Sequence, residues 1–283
     1  MIKLKYIFSL LLICILSFSV FGQKTSDANF PKCTKYPKII PAKKNVWIFI
    51  MAGQSNMAGR GFVEPMDTVT NQRILSINTK SEIILAKEPL NLYESQMKGL
   101  DCGVSFACEL LKFIPDSVSI LLIPTAVGGS SIDQWIGDSL HRKVNLRSNF
   151  RQKVELAKNF GEIKGLLWHQ GESDAKQLLV RTYAKKLKGL FSDFRKTIND
   201  KKLPILTGEI GTFTPDSTFQ NAINKAIVSN AKKDKHTFLI QTRDFTDKGD
   251  KLHFDSKSQR IMGERFAQKY LEIIKLKIKQ LVQ

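Results

Sequence analysis

The sequence lacks the residue spacings that are typical of a metal site. Its 283 residues include four cysteines and four histidines, with no Cys-x-x-Cys or His-x-x-x-His pair among them. The common zinc sites use such spacings, because neighbouring ligands must reach one ion. We therefore expect neither a metal ion nor another cofactor.

Acidic residues are also scarce. The chain has 26 aspartates and glutamates against 44 lysines and arginines, a formal net charge of +18. An excess of this size requires that a nucleic-acid binder be considered. The lysines form scattered pairs and spaced positions on the last helix, without interleaved aromatic residues, which is typical of solvated helix faces. We expect no nucleic-acid partner, although the charge favours anionic substrates or surfaces.

Long hydrophobic runs are absent except at the N-terminus. Lys3 and Lys5 precede an apolar run that ends at Phe21. The run is too short for a membrane span and no stop-transfer charges follow it, so it is typical of a secretory signal peptide. The predicted organisation is a signal peptide at 1–22, an exposed lead-in at 23–45 and one domain at 46–283. The protein is then secreted or periplasmic, with no membrane span.

Removal of the signal would take Cys14 away and leave Cys33, Cys102 and Cys108. An exported protein is in a compartment that permits disulfides. The sequence does not choose a pair, and an odd number of cysteines leaves at least one thiol over.

Short apolar runs alternate with amphipathic segments along the predicted domain. The expected buried strands lie at 46–52, 118–123, 163–168, 204–210 and 237–241. The expected helices lie at 103–113, 145–159, 177–198 and 217–234, and a last one is capped by Asp255 or Ser256. The stretch from the first strand to Asn91 is expected to be irregular. The alternation implies a three-layer α/β/α sandwich around a five-stranded parallel sheet.

Polar motifs stand where several of these strands end. Ser55 follows the first strand, a glycine-rich loop from Pro124 to Trp135 follows the second, and His169 to Glu172 follow the third. Because the carboxyl ends of parallel strands share one edge of a sheet, these motifs are expected to converge there. Trp135 has two interpretations, stacking on a sugar ring or closing its loop against the core.

The residue types in these motifs suit nucleophilic catalysis. Ser55 can supply both the nucleophile and, through its N–H, a first oxyanion donor. A carboxylate three residues before a histidine, as in Asp250 and His253, can hold the tautomer that leaves Nε2 free as a base. Each motif alone also has a structural interpretation as a turn, a loop or a buried histidine. Their coincidence at successive strand ends favours catalysis.

Further oxyanion donors are available in two of the motifs. Gly128 and Gly129 have no side chains, so their N–H groups can approach a reacting oxygen closely. The amide of Gln170, at a strand end, is a plausible third donor.

Four blocks together resemble a known family. They are GQSNMAGRG, AVGGSSIDQW, WHQGESD and DKLHFD, within Trp47 to Ala267. In this order and spacing they resemble the sialate O-acetylesterase and acetylxylan esterase family, carbohydrate esterase family six, a branch of the SGNH (GDSL-like) hydrolases. The resemblance implies a flavodoxin-like fold and a metal-free serine esterase. Such an enzyme removes O-acetyl groups from carbohydrates through an acetyl-enzyme intermediate.

The resemblance also assigns roles to residues. Ser55 matches the nucleophile, Asp250 and His253 match the Asp-x-x-His pair, and Gly129 matches the oxyanion glycine. Gln170 stands where other SGNH enzymes carry an oxyanion asparagine. The expected supporting residues are Gln54, Asn56, Gly128 and Glu172, the last orienting either Gln170 or the catalytic histidine.

Two alternatives stay open at this point. One is an SGNH esterase acting on a non-carbohydrate ester, and the other is a basic glycan- or nucleic-acid-binding module whose catalytic site has lapsed. Within the preferred interpretation, the sequence does not choose between sialic acid, xylan, pectin or another acetylated glycan.

Overall fold

The fold is built around strand β1 (Val46–Gly53), as the first apolar run predicts. The computed structural model describes residues 33–282, so the predicted signal peptide at 1–22 lies outside the described residues. Along β1, Ile48 and Ile50 pack into the core on one face of the sheet, while Phe49 and Met51 pack into the core on the other. Burial on both faces explains why the run is continuously apolar rather than alternating.

Besides β1, the main sheet contains β2 (Ile74–Ile77), β3 (Ile83–Leu85), β4 (Ser119–Pro124), β7 (Glu162–His169), β8 (Ile205–Gly208) and β9 (Thr237–Ile240). The seven strands lie in the order β3-β2-β4-β1-β7-β8-β9. All neighbouring strands are parallel except β2 and β3. A separate two-stranded hairpin is formed by β5 (Leu140–His141) and β6 (Val144–Asn145).

The prediction of a mostly parallel α/β sheet is confirmed, but the prediction of five strands is wrong. The missed strands, β2 and β3, have four and three residues and lie in the stretch that was expected to be irregular. A readable strand pattern needs about four to eight residues, so β3 is below this range and β2 is at its lower limit. In the sheet, β2 lies between β3 and β4, and β3 is the antiparallel edge strand.

Helices cover both faces of the sheet. They are α1 (Ser55–Ala58), α2 (Gly103–Leu111), α3 (Ile132–Gly137), α4 (Leu146–Lys158), α5 (Val180–Ile198), α6 (Thr218–Lys233) and α7 (Ser256–Val282). Side chains of α2 and α7 share one core with the sheet, and those of α3 to α6 share the core on the opposite face. Asp255 accepts the N–H of Ser258 at 2.7 Å, so it caps α7 as the sequence predicts. The three-layer α/β/α arrangement is confirmed.

The cysteines and the possible membrane spans bear on the predicted export of the protein. Cys33, Cys102 and Cys108 are all free thiols, and Cys102 is buried with its Sγ 3.8 Å from the Sδ of Met57. Between residues 33 and 282, no helix has both the length and the apolar character that a membrane crossing requires.

A buried pair of carboxyl groups, Glu88 and Asp101, lies at the start of α2. Each is 1 % exposed, and Asp101 accepts the N–H of Gly103 at 2.6 Å. Burial raises the pKa of Asp101 to about 7, since the surrounding apolar atoms disfavour its charged form. Burial also raises the pKa of Glu88, and the charge of Asp101 adds to that rise.

This pair predicts how stability depends on pH. Because the folded pKa of Asp101 lies above the ordinary value of 3.8, its stabilisation is fully present below about pH 4 and is lost as the pH rises through about 7. We expect the melting temperature to fall over this range, and Asp101→Asn to reduce the fall. An amide keeps the acceptor for Gly103 without taking up charge. Thermal melts at several pH values test this, with the exposed Asp116→Asn as control; an unchanged slope in Asp101→Asn would contradict it.

Candidate active site

The turns after β1, β4 and β7 meet because these three strands are neighbours in the sheet. Ser55 follows β1, Gly129 follows β4 and Gln170 follows β7. This edge holds the carboxyl ends of β4, β1 and β7. Open α/β folds place their ligands at such an edge. Three of the motifs singled out in the sequence therefore stand together.

The fourth motif reaches the same place from the loop between β9 and α7. The Nε2 atom of His253 lies 3.0 Å from the Oγ of Ser55, and its Nδ1 lies 2.7 Å from an oxygen of Asp250. Asp250 also accepts the backbone N–H of His253 at 2.8 Å, so the three-residue offset forms a closed turn. With the carboxylate accepting from Nδ1–H, Nε2 is the ring atom left to take the proton of Ser55.

Asp250 is suited to stay ionised. Partial burial opposes its charge, but hydrogen bonds from the backbone and the ring of His253 outweigh burial and lower its pKa below the usual value. The ammonium of Lys248 lies 3.7 Å from the same carboxylate oxygen that faces the ring. No sequence pattern marks Lys248, because only the folded loop brings its side chain to Asp250.

Asn56 holds the histidine loop, the segment Leu252 to Phe254, by contacts on both sides of His253. Its Oδ1 accepts the N–H of Phe254 at 3.0 Å, and its Nδ2 lies 3.4 Å from the carbonyl oxygen of Leu252. These two residues flank His253, and the Asn56 side chain is fully buried. The residue next to the predicted nucleophile therefore holds the predicted base in register with it.

Glu172 supports this clamp through Asn56. Its Oε1 accepts from Nδ2 of Asn56 at 2.7 Å and lies 3.6 Å from Nδ1 of His169. His169 is fully buried, and its Nε2 lies 2.9 Å from the carbonyl oxygen of Glu209, an acceptor that only an N–H can serve. Its geometry is that of a structural histidine. The carboxylate of Glu172 thus acts on the histidine loop through Asn56.

The two glycines of the predicted oxyanion loop have different environments. The N–H of Gly128 donates to Glu94 at 2.7 Å, and a Cβ on Gly128 would lie 2.0 Å from the guanidinium of Arg60. Gly129 has φ +73°, a backbone conformation that favours glycine. Within the described part of the chain, no protein acceptor takes the N–H of Gly129 or that of Ser55. Both N–H groups are therefore free to meet a ligand oxygen.

Gln170 is oriented differently from the sequence-based expectation. Its side chain is fully buried, and its Nε2 lies within 3.2 Å of three acceptors: Gln54 Oε1, the Ser130 carbonyl oxygen and an oxygen of Asp174. An amide nitrogen carries only two protons, so these acceptors already saturate it. In this geometry the Gln170 amide braces the turns after β1 and β4 and does not point to open space.

In Gln54 it is the oxygen of the side-chain amide, and not the nitrogen, that faces protein partners. Its Oε1 accepts from Gln170 and lies 3.4 and 3.2 Å from the backbone nitrogens of Gly171 and Ser173. These donors identify which end of the amide is oxygen, so the Nε2 end must face the other way. Among the described residues, no acceptor is within hydrogen-bond distance of Gln54 Nε2. The amide beside Ser55 is therefore a second candidate for the third oxyanion donor.

Several residues near the site gave no recognisable signal in the sequence. Glu94 accepts from Arg60 at 2.8 Å and from Arg142 at 2.5 Å, so two cations lie behind the glycine loop. His141, which has no motif around it in the sequence, has its Nε2 2.8 Å from the carbonyl oxygen of Gly128. These contacts join segments that are far apart in the chain, and no local pattern encodes them.

Trp135 is a core residue. It is fully buried, and its indole N–H donates to the hydroxyl of Ser130 at 3.0 Å. Of the two interpretations of this residue, the one that closes the loop against the core is confirmed. Over residues 33–282, no group of three or more histidine, cysteine, aspartate or glutamate side chains could hold a metal ion.

Comparison with known proteins gives consistent matches. Residues 45–272 match the family described as carbohydrate esterase, sialic acid-specific acetylesterase. A probable carbohydrate esterase of Arabidopsis thaliana is 29 % identical over 243 residues, which are 79 % of this chain and 90 % of the relative. The X-ray structure of that Arabidopsis protein superposes with a TM-score of 0.72 at 28 % identity, covering 81 % of this chain and 98 % of the other.

A more distant solved structure has the same fold. The crystal structure of NanS superposes with a TM-score of 0.67 at 17 % identity, over 84 % of this chain and 99 % of that chain. At this level of identity, the likeness concerns the arrangement of strands and helices alone.

Proposed function

The chain belongs to the sialic acid-specific acetylesterase family of carbohydrate esterases, and we propose that it removes O-acetyl groups from its substrate with Ser55 as the nucleophile. The family resemblance noted in the four sequence blocks is thereby confirmed, and with it the activity of a carbohydrate O-acetylesterase. The roles of individual residues are our proposal.

The proposed reaction has two halves. His253 accepts the proton of Ser55 while Oγ attacks the acetyl carbonyl carbon, and Asp250 stabilises the imidazolium that forms. The tetrahedral intermediate collapses, His253 protonates the departing sugar hydroxyl, and an acetyl group stays on Ser55. Water, deprotonated by His253, then attacks this acetyl-enzyme. His253 returns the proton to Oγ of Ser55 as acetate leaves, which restores both residues to their starting forms.

Two backbone donors are proposed for the oxyanion. The N–H groups of Ser55 and Gly129 are free in the structure, and both belong to turns at the carboxyl edge of the sheet. Preorganised donors of this kind stabilise the developing charge without reorganisation during the reaction.

The single observation that carries the proposal is the continuous hydrogen-bonded chain from Asp250 through His253 to Ser55, with distances of 2.7 and 3.0 Å. Acetate release from a panel of acetylated xylan, acetylated pectin and O-acetylated sialic acids tests the proposed chemistry and identifies the substrate. We expect release from at least one of them, faster than from a non-carbohydrate acetyl ester at equal concentration. Turnover of the non-carbohydrate ester alone would support the alternative esterase.

The third oxyanion donor is tested by a pair of variants. If Gln170 donates, as the sequence blocks imply, its amide must leave one of its present acceptors, and Gln170→Ala should lower kcat by about 10²–10³-fold with little change in KM. Gln54→Ala should lower kcat by a similar factor if Gln54 is the donor instead. Steady-state kinetics on one small acetyl ester compares them, with melting temperatures measured for both. A change in KM alone for Gln170→Ala would remove it from the oxyanion site.

Secretion is part of the proposal. It rests on the sequence of residues 1–22, with Lys3 and Lys5 before an apolar run. Sequencing the N-terminus of the protein purified from outside the cytoplasm tests it, with Gln23 expected as the first residue. A product that still begins at Met1 would contradict cleavage.

A further inference from the structure

A groove of about 1050 Å³ lies between α5 and α6, away from Ser55. It reaches the loops that precede β8 and β9, at the amino ends of these strands, whereas the motifs of the candidate active site follow the carboxyl ends. The groove and the candidate active site therefore lie at opposite edges of the sheet, and a ligand in one does not obstruct the other.

Six lysines line this groove: Lys185, Lys188, Lys196, Lys201, Lys233 and Lys235. All six side chains are exposed, and no ion pair joins any of them to a carboxylate in the part of the chain that the structure describes. They come from two helices and two loops, so the sequence shows them only as scattered pairs. The fold gathers them around one concavity.

The groove lining also contains an ion pair, which adds no net charge. The guanidinium of Arg195 donates to Asp234 at 2.6 Å, to the carbonyl oxygen of Leu203 at 3.0 Å and to that of His236 at 2.8 Å. Asp234 is the one carboxylate residue of the groove lining, and Arg195 neutralises it. The six lysines therefore impose an uncompensated positive field on a preformed surface.

Helix electrostatics explain only part of this cluster. Lys196 and Lys233 lie in the last turns of α5 and α6, where cations complement the negative ends of helix dipoles. Lys185 and Lys188 lie in the first half of α5, beyond the reach of that effect, and Lys201 and Lys235 lie in loops. Helix dipoles therefore do not explain the positions of the other four lysines.

The remaining lining residues indicate what kind of anion fits. Between the lysines lie the hydroxyls of Ser192 and Ser229 and the amide of Asn199. The Asn230 amide is buried and donates to the carbonyl oxygen of Ala184 at 3.0 Å. The lining has no phenylalanine, tyrosine or tryptophan on which nucleic-acid bases could stack. It also has no leucine, isoleucine, valine or methionine that could insert into a lipid surface. Ammonium groups interspersed with hydroxyls and amides suit a ligand with both carboxylates and hydroxyls.

We propose that this groove binds an acidic polysaccharide, a chain of sugars bearing carboxylate groups, as a site separate from the candidate active site. The lysines pair with the carboxylates, and the side chains of Ser192, Ser229 and Asn199 hydrogen-bond to sugar hydroxyls. Binding there holds the protein on a polymer and raises the local concentration of acetyl groups for the other edge of the molecule. Such a site would not change turnover of a small soluble ester.

Titration of the full-length mature protein with polygalacturonate fragments at low salt tests this site. We expect the triple variant Lys188→Gln, Lys201→Gln, Lys235→Gln to bind about tenfold more weakly, because each exposed charge pair contributes modestly. High salt should weaken wild-type binding, and neutral xylan fragments should not bind in the groove. All variants should hydrolyse a small acetyl ester at the wild-type rate. A failure of the proposed esterase activity is therefore distinguishable from a failure of the groove to bind polygalacturonate.

The matched control removes the same charge elsewhere. Lys35, Lys38 and Lys80 are exposed, and the variant that changes all three to glutamine should bind polygalacturonate like wild type. Equal weakening in both triple variants would show that net charge alone is responsible and would overturn the site. Tighter binding of single-stranded DNA or of anionic vesicles than of polygalacturonate, lost in the groove variant, would also overturn the assignment to a polysaccharide.

Discussion

Replacing Ser55 by alanine is expected to abolish hydrolysis of a small acetyl ester while the protein stays folded. Removing the nucleophile of a serine protease lowers kcat by about 10⁶-fold, since neither the base nor the oxyanion donors can substitute for it. Ser55 is 5 % exposed and its Oγ lies 3.0 Å from Nε2 of His253, so the variant loses one hydroxyl and one hydrogen bond. Kinetics measured beside a thermal melt separate lost chemistry from lost structure.

Other hydroxyls near the site are not placed to replace it. The Oγ of Ser130 donates to the carbonyl oxygen of Gly53 and accepts the indole N–H of Trp135, and Ser131 caps α3. Ser173→Ala is the matched control, because its Oγ donates to the carbonyl oxygen of Gly129 at 3.0 Å and has no base beside it. We expect this control to keep most of the activity. Near-wild-type turnover by a folded Ser55→Ala protein would end the serine-esterase proposal.

The same experiment bears on the binding-module alternative. A module with a lapsed site would release no acetate in either form, and Ser55→Ala would then have no rate to lose. The short distances between Asp250, His253 and Ser55 argue against a lapsed site, because all three side chains have hydrogen-bonding geometry. Acetate release by wild type, lost in Ser55→Ala, excludes this alternative.

The sequence predicts the parts of the site that depend on local geometry. Asp250 and His253 are three residues apart, and an offset that small fixes their mutual distance once a turn forms. Ser55 directly follows a strand that is buried on both faces, a position that the apolar run alone defines. The common edge of the sheet then follows from the alternation of strands and helices.

Other features depend on contacts that no local pattern records. The direction of the Gln170 amide is set by acceptors on Gln54, Ser130 and Asp174, which belong to three different segments. The clamp made by Asn56 reaches residues 196 and 198 positions away in the chain. The lysine groove likewise exists only because α5 and α6 pack side by side. Such arrangements require the three-dimensional structure.

The second large effect is expected from Asp250→Asn, which decides the carboxylate that serves His253. In the structure an oxygen of Asp250 is 2.7 Å from Nδ1, whereas Glu172 binds Asn56 at 2.7 Å and has no contact with His253 among the described residues. An asparagine amide can donate to Nδ1, which leaves the proton on Nε2 and prevents the ring from accepting the serine proton. In a serine protease this change costs about 10⁴-fold in kcat.

Two further carboxylates in the same loop are already engaged. Asp247 accepts the N–H groups of Gly249 and Lys251 at 2.8 and 2.7 Å, and Asp255 caps α7. Asp247→Asn is therefore the matched control, because it makes the same chemical change three residues from Asp250. We expect it to cost far less in kcat than Asp250→Asn, provided that the melting temperature shows the loop intact.

Glu172→Gln provides the comparison that tests the assignment. Its Oε1 can still accept from Asn56, so the clamp on the histidine loop is kept and only a charge is lost. We expect a loss in kcat well below that of Asp250→Asn, measured at one fixed pH on the same small acetyl ester. Should Glu172→Gln be the more damaging change, the acid of the triad would be the glutamate, and Asp250 would only shape the turn that presents His253.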